Sequence, residues 1–243
     1  MKILETKNLI KRFEGVRALD GLSLGIEKGQ IVGIVGPNGS GKTTLINVLT
    51  GILASDGGVV IFRGTSLEKI KPFHISFYGI TRTFQTIRLF EQMTVLDNIL
   101  VVCTERSAFS ALFERHEEYH WRRAREVLES VGLWEKRNEL AVNLSYGQRK
   151  LLEIARALAT RAEIFLFDEP FAGLFPAMRK IIVLIFKKLR EEGKTILFIE
   201  HDMGLIRELA DYVYVMDSGQ LLAEGNPEEA LGRKEVLDAY LGD

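Results

Sequence analysis

The stretch from Gly36 to Thr43 reads G-P-N-G-S-G-K-T and decides the fold of this chain. It follows Gln30-Ile-Val-Gly-Ile-Val35, an apolar run as long as a buried strand, and it precedes Thr44-Leu-Ile-Asn-Val-Leu49, which opens a helix. Glycines let such a loop curl so that successive backbone N–H groups point inward at an anion. The segment therefore predicts a phosphate-binding loop whose anion faces the positive end of the helix.

Two side chains of this loop have predicted roles of their own. Lys42 supplies a mobile positive charge for the β- and γ-phosphates of a nucleotide, and the Thr43 hydroxyl is placed to bind Mg²⁺. A glycine-rich turn without a ligand would explain the glycines but not the Gly-Lys-Thr-Thr sequence. We expect the nucleotide to contact Gly36, Pro37, Asn38, Gly39, Ser40, Gly41, Lys42, Thr43 and Thr44.

A second apolar run, Ile164-Phe-Leu-Phe167, ends in the two acids Asp168 and Glu169. Phosphoryl transfer needs a carboxylate that holds the metal and a group that orients the attacking water. We predict that Asp168 binds Mg²⁺ from the strand tip and that Glu169 is the catalytic base. The alternative is a strand that ends in a solvated acidic turn, which is common in α/β proteins.

The sequence Leu144-Ser-Tyr-Gly-Gln148 resembles the signature motif of the ATP-binding cassette (ABC) ATPases. The resemblance covers essentially the whole chain in the family's order and implies ATP and Mg²⁺ as ligands. It implies that Ser145 and Gly147, with Gln148, reach the ATP of the opposite subunit. It further implies that Gln85 contacts Mg²⁺ and the attacking water, that His201 is the switch histidine, that Phe13 stacks on adenine and that Val16 lies beside the nucleotide.

Most of these residues also have a structural interpretation. Phe13 is of a type that usually lies in a core, and Gln85 could be an ordinary polar loop residue. Ser145 and Gln148 also form the pattern S-x-x-Q of a capping box at the start of a helix. Both interpretations of Ser145 can hold, because a helix N-terminus is an anion site as well as a capped end. His201 could be a structural histidine, but its position after a strand-like run favours the functional role.

Two positions depart from the family's usual pattern. Tyr146 replaces the commonest first glycine of the signature, although the serine and the second glycine are present. Ala172-Gly-Leu-Phe175 stands where the family's inter-subunit loop usually has Ser-Ala-Leu-Asp, and Phe175 cannot make the hydrogen bonds of an acid. We expect nucleotide binding across the dimer to survive, whereas communication between the two ATP sites is left open.

Periodicity predicts an α/β fold with a core of mostly parallel strands, an antiparallel β lobe and an inserted helical lobe. The phosphate-binding loop and the family resemblance imply that this core is a P-loop NTPase core. We assign the chain to a single ABC ATPase domain, 1–243. The core with the β lobe takes 1–88 and 146–243, and the helical lobe takes 89–145. Core strands are predicted at Ile164–Phe167 and Thr195–Ile199, a helix that starts with Pro176 at 176–192, and a terminal hairpin at 211–223.

Composition agrees with a cytoplasmic globular enzyme. The 243 residues are 47% hydrophobic with a net charge of −1, so no basic field predicts a nucleic-acid partner. The single cysteine, Cys103, fits a reducing compartment. No apolar stretch approaches the roughly 20 residues needed to cross a bilayer. We expect a protein on the inner face of the cell membrane, where partners supply the membrane spans.

The segment His116-Glu-Glu-Tyr-His120 matches the zinc-protease pattern H-E-x-x-H. Zinc catalysis would need a third ligand and a closed cleft, and no residue nearby supplies them. The segment is crowded with charges, as a solvated helix face would be. We therefore expect no zinc site there.

The resemblance implies the motor subunit of a membrane transporter, a homodimer or a heterodimer with a second ABC ATPase subunit beneath transmembrane permeases. The runs 81–86, 93–98, 199–203 and 237–242 are most similar to the branched-chain amino acid importers. ATPases of amide or urea importers, lipopolysaccharide exporters and soluble non-transport ABC ATPases are the alternatives. We expect the stretch 86–95, with Ile87, Leu89, Phe90 and Met93, to bind the permease.

Overall fold

The computed structural model describes residues 1–67, 70–103 and 117–241. The chain forms two compact units, which we call unit 1 (residues 1–82, 163–169 and 186–243) and unit 2 (residues 83–162 and 170–185). These units divide the chain by internal contacts, whereas the predicted lobes divide it by sequence character. The lobe bounds therefore stay a prediction.

The elements alternate between strands and helices along most of the chain. The strands are β1 (Lys2–Phe13), β2 (Val16–Glu27), β3 (Ile31–Val35), β4 (Gly57–Phe62), β5 (Thr65–Leu67), β6 (Ile80–Arg82), β7 (Ile164–Asp168), β8 (Thr195–Ile199), β9 (Tyr212–Asp217) and β10 (Gln220–Gly225). The described helices are α1 (Lys42–Leu49), α2 (Val95–Cys103), α3 (Glu117–Ser130), α4 (Tyr146–Ala159), α5 (Pro176–Glu191), α6 (Met203–Leu209), α7 (Pro227–Leu231) and α8 (Lys234–Leu241).

The smaller sheet of unit 1 is the predicted antiparallel β lobe, with strand order β2-β1-β4-β5. The turn between β1 and β2 consists of Glu14 and Gly15, whose φ angles are 43° and 92°. Two positive φ angles give this two-residue turn a backbone twist that matches the twist of the flanking strands. Both strands are longer than the apolar stretches that predicted them, because polar residues alternate with buried ones along them.

The larger sheet of unit 1 has the order β10-β9-β3-β8-β7-β6. The β9–β10 pair is antiparallel and the other neighbours are parallel, as predicted for the core and the terminal hairpin. Every residue of β3, β7 and β8 is buried. A strand covered on both faces requires an uninterrupted apolar run, which explains why these strands were readable from sequence.

Candidate site residues follow the parallel strands of this sheet. The phosphate loop follows β3, Arg82 ends β6 and Asp168 ends β7, while His201 lies two residues after β8. The carboxyl ends of parallel strands meet at one edge of a sheet, where α/β proteins bind their ligands. The topology of unit 1 thus gathers these residues at one edge.

Unit 2 is built around helices, of which α2, α3 and α4 pack on one another. Its buried side chains include Val95, Leu96, Ile99, Ala124, Val127, Leu128, Leu151, Leu152, Ile154 and Ala155. In the H-E-x-x-H pattern, His116 and the side chain of Glu117 lie outside the described residues, whereas His120 is buried. Within the described part of the chain, no helix has both the length and the apolarity to cross a membrane.

Candidate functional site

The phosphate loop turns into α1 at Gly41. This residue caps the helix in the left-handed region, with φ of 99°. A Cβ at Gly41 would lie 2.3 Å from the carbonyl oxygen of Ala18, so both the φ angle and the close backbone approach require glycine. The first N–H groups of α1 consequently face the loop, as an anion site at a helix N-terminus demands.

Lys42 lies inside the curl of the loop and is only 6% exposed. Its ammonium donates hydrogen bonds of 2.7 Å to the carbonyl oxygens of Gly36 and Pro37, and it lies 3.3 Å from the Ser40 hydroxyl. These acceptors place the positive charge on the loop itself, where a phosphate would come to rest. The geometry fits the predicted role of Lys42.

Asp168 is buried at the tip of β7 and is 1% exposed. The Arg82 guanidinium lies 3.7 Å from its carboxylate, measured from Nη2 to Oδ2. The other terminal nitrogen of Arg82 donates to Asn47 Oδ1 at 2.9 Å and to Thr50 Oγ1 at 2.8 Å. Arg82 thus connects the carboxylate with the C-terminal end of α1, the helix whose first turn carries Thr43.

Arg82 was not predicted from the sequence as a site residue. The sequence offers one sign of its role. Arg82 is a charged residue at the end of a short strand whose first residue, Ile80, is buried. Such a guanidinium is expensive to bury unless it is paired. The partners, however, lie 32 to 86 residues away in sequence, so the pairing itself could not be read from the chain.

Glu169 and His201 form a direct pair. Nε2 of His201 lies 3.0 Å from Oε1 of Glu169. Glu169 has a φ of 50°, which is rare for a residue with a side chain, and its N–H donates to Ile199 O at 3.1 Å. Backbone strain of this kind costs on the order of 1–3 kcal/mol and is frequent at active sites. Because His201 is 41% exposed at its side chain and pairs with an acid, it is not a core histidine.

The residues of unit 1 fit a nucleotide with a hard divalent cation. Thr43 offers a hydroxyl and Asp168 a carboxylate, and oxygen donors of these kinds are the ligands that Mg²⁺ prefers. Phe13 and Val16 flank the β1–β2 turn and are 41% and 68% exposed, so neither residue fills a core. The Lys11 ammonium lies 5.4 Å from the centroid of the Phe13 ring, and stacking on adenine stays a prediction for Phe13.

The signature segment of unit 2 forms the predicted capping box. Ser145 is the N-cap of α4, its hydroxyl accepts from the Gln148 N–H at 3.3 Å, and the Gln148 side chain accepts from the Ser145 N–H at 3.0 Å. A Cβ at Gly147 would lie 2.3 Å from the sulfur of Met178, so the first turn of α4 packs tightly. The capping role is confirmed, and the contact with a second subunit's ATP stays a prediction.

The two departures from the usual motifs lie in unit 2. Tyr146 is 45% exposed, and its ring packs against Gly173, where a Cβ would lie 2.9 Å from Cε1. Phe175 is 77% exposed. The tyrosine therefore belongs to the packing of its own subunit, whereas the phenylalanine presents an apolar ring to the surroundings.

Gln85 lies exposed in the loop 83–90, which we call the glutamine loop. This loop contacts two charged residues of α4 that the sequence analysis did not identify. Glu153 accepts hydrogen bonds from the backbone of Phe84 and Arg88, and Arg156 donates to the Arg88 carbonyl. Burial raises the pKa of the Glu153 carboxyl and lowers the pKa of the Arg156 guanidinium.

The ABC transporter family profile matches residues 19–172. A probable branched-chain amino acid transport ATP-binding protein LivG of Archaeoglobus fulgidus is 40% identical, over 100% of this chain and 96% of that protein. The high-affinity branched-chain amino acid transport ATP-binding protein LivG of Escherichia coli K12 is 40% identical, over 99% of this chain and 98% of that protein.

Solved structures agree with these relatives. The ADP conformation of MJ1267, an ATP-binding cassette of an ABC transporter, has a TM-score of 0.87 at 38% identity and covers both chains fully. A dimeric post-hydrolysis state of the cassette MJ0796, bound to ADP and Pi, has a TM-score of 0.81 at 28% identity, over 92% of this chain and 98% of that one. The chain belongs to the ABC transporter family and is an ATPase homologous to the ATP-binding proteins of branched-chain amino acid importers.

Proposed function

We propose that this chain is the ATP-hydrolysing subunit of an importer of branched-chain amino acids. Two such ATPase subunits, identical or different, act on the inner face of the membrane beneath permease subunits. The similarity of the whole chain to importer ATP-binding proteins supports the substrate class. The observation that carries the hydrolytic role is the Glu169–His201 pair beside Asp168.

Each residue of the site has a part in the proposed reaction. Lys42 and the N–H groups of α1 bind the β- and γ-phosphates. Glu169 orients the attacking water and accepts its proton, and His201 holds the Glu169 carboxylate in place through the 3.0 Å contact. Mg²⁺, when bound, would neutralise charge that develops on the phosphates, and Thr43 and Asp168 would hold it.

The second subunit completes the site in this proposal. Ser145 and Gly147, with Gln148, lie at the N-terminus of α4, an end that attracts phosphate. They would bind the γ-phosphate of the partner subunit's ATP, so that the dimer closes only when both sites hold ATP. The dimeric state of a related cassette supports this arrangement.

The permease contact is proposed at the stretch 86–95. Phe90 and Met93 are 44% and 39% exposed, and Ile87 and Leu89 are half-buried. An exposed aromatic ring with a methionine and a nearby arginine is typical of a protein interface. Phe90→Glu should abolish leucine uptake by the assembled transporter while ATP hydrolysis by the isolated chain persists. Leu184→Glu, at another exposed apolar residue, should transport normally.

The hydrolytic role is tested with Glu169→Gln. This variant should bind ATP with near-normal affinity, because the phosphate loop is intact, while turnover falls by roughly 10²- to 10⁴-fold. Glu208→Gln, at an exposed ion pair with Lys187, is the matched control and should hydrolyse ATP at the parent rate. Rapid steady-state turnover by Glu169→Gln would remove Glu169 from the role of base.

A further inference from the structure

Helix α4 begins at the signature motif, and we call it the signature helix. It carries charged residues at buried positions, where side chains are normally apolar. Lys150 is 1% exposed and Glu153 is 5% exposed, among the buried residues Leu151, Leu152 and Ile154. A buried charge costs free energy unless hydrogen bonds or an opposite charge compensate it. The contacts of Glu153 and of Arg156, one turn further along the helix, therefore indicate which groups compensate the buried charge of Glu153.

Glu153 binds the backbone on both sides of Gln85. Its Oε1 accepts from the Phe84 N–H at 3.3 Å and from the Arg88 N–H at 3.4 Å. Both donors belong to the glutamine loop, which is neither helix nor strand, and whose last residue, Phe90, is bonded through its N–H and its carbonyl to the Asn98 side chain. One carboxylate oxygen thus joins the start of the loop to its end.

Arg156 holds the far end of the same loop. Its guanidinium donates to the carbonyl oxygen of Arg88 at 2.5 Å and lies 4.9 Å from the ring centroid of Phe90. Arg88 in turn lies 3.8 Å from the ring centroid of Phe84. Charge-assisted hydrogen bonds and cation–π contacts of this kind are the stronger polar interactions in proteins.

The anchoring residues and the signature serine share one helix. Glu153 lies eight residues after Ser145, which corresponds to about 12 Å along the helix axis. The capping box fixes the first turn of α4, and helical hydrogen bonds connect that turn with Glu153. A displacement of the glutamine loop is therefore transmitted to Ser145 by a rigid element.

We propose that Glu153 and Arg156 are positioning residues that clamp the glutamine loop to the signature helix, so that Gln85 and Ser145 move as one body. The clamp gives the permease contact at Phe90 a mechanical connection to the residue that faces the partner subunit's ATP. This inference rests on the proposed function, because it takes Gln85, Phe90 and Ser145 in the roles given above.

The test compares Glu153→Gln with Glu153→Met. The two side chains have similar length, but glutamine keeps an oxygen that accepts the two N–H groups and methionine does not. Hydrogen–deuterium exchange of peptides that cover residues 83–92 should accelerate by roughly tenfold or more in the methionine variant, since hydrogen bonds to a charged group are lost. The glutamine variant should stay within a few-fold of the parent.

Kinetics supply the second measurement. ATP affinity should stay within about twofold in both variants, because the phosphate loop does not depend on the clamp, whereas kcat should fall by roughly tenfold in the methionine variant only. Glu129→Gln, at an exposed residue that pairs with Arg125 on α3, is the control and should change neither quantity. Should Glu153→Met fail to fold, Arg156→Met and Arg156→Lys replace the pair, with the lysine variant expected to retain more protection from exchange.

The two proposals fail in different ways. If the parent protein does not hydrolyse ATP, the proposed function is wrong, while the exchange comparison still decides whether the clamp exists. If the parent hydrolyses ATP but the methionine variant exchanges residues 83–92 at the parent rate, the clamp is wrong and the function stands. Faster exchange with an unchanged kcat would also overturn the positioning role, because the clamp would then be merely structural.

Discussion

The phosphate loop at 36–44 and the glutamine loop at 83–90 both serve a nucleotide in the proposed mechanism, yet they are held by different means. The phosphate loop is held largely by hydrogen bonds between its own residues. Lys42 bonds to carbonyls only five and six residues away, and the left-handed turn at Gly41 starts the helix. These bonds are local, and one long-range bond adds to them, from the Gly219 N–H to the Ser40 carbonyl at 3.1 Å.

The glutamine loop is bonded from Phe84 to Arg88 by side chains that are distant in sequence, whereas its last residue, Phe90, is bonded by Asn98, eight residues on. Glu153 bonds to amides that lie 69 and 65 residues earlier, and Arg156 bonds to a carbonyl 68 residues earlier. A loop fixed by its own backbone keeps its shape wherever the surrounding elements move. A loop fixed by another helix follows that helix, and this difference suits one loop to binding and the other to transmission.

The largest effect is expected from a variant that disrupts the long-range contacts of the nucleotide site. Arg82→Met leaves Asp168 buried without its cation and removes the bonds to Asn47 and Thr50. The free energy of unfolding should fall by about 3–5 kcal/mol, measured by urea denaturation. Lys187→Met, at an exposed ion pair, should cost at most about 1 kcal/mol.

ATP and Mg²⁺ binding by the same variant tests the contrast between the phosphate loop and the glutamine loop. In folded Arg82→Met, binding of ATP without metal should stay within a few-fold of the parent, because the phosphate loop is local. The Mg²⁺ concentration for half-maximal nucleotide binding should rise, because Asp168 has lost the group that orients it. If metal-free ATP binding collapses as well, the phosphate loop is not self-contained and the contrast with the glutamine loop does not hold.

This contrast also explains how much the sequence could predict. Strands β3, β7 and β8 were predictable, because burial on both faces demands contiguous apolar residues. The phosphate loop was predictable because its geometry needs particular residues in a fixed local order. The capping box at Ser145 was predictable for the same reason, since its two hydrogen bonds span three residues.

Long-range ionic contacts could not be predicted. Arg82 and Glu153 look like ordinary charged residues until the fold brings Asp168 and the glutamine loop to them. A faint signal existed in α4, where Glu153 interrupts the apolar run Leu151, Leu152, Ile154. That pattern indicates a buried charge but does not identify the group that pairs with it. The full length of β1 and β2 was also missed, because their alternating polar residues resemble loop sequence.

The next effect concerns ATP affinity. Lys42→Ala removes the ammonium that the loop carbonyls hold in place, so the phosphates lose a charge-assisted contact. We expect ATP affinity to fall by roughly 10- to 100-fold, measured by calorimetry. Glu153→Met is the matched comparison, because it should leave this affinity unchanged. Equal affinity losses in both variants would show that the two loops are coupled in binding and not only in turnover.

The smallest effect separates the two roles of Ser145. Ser145→Ala removes the side-chain oxygen that accepts from the Gln148 N–H, so α4 loses a cap and the protein about 1 kcal/mol of stability, measured by urea denaturation. Ser145→Asn should recover most of that stability, because asparagine caps helices as well as serine does. Its amide cannot reproduce the contact of a hydroxyl with the partner subunit's ATP. Turnover by the dimer should therefore stay low in both variants, and full activity in Ser145→Asn would leave Ser145 with the capping role alone.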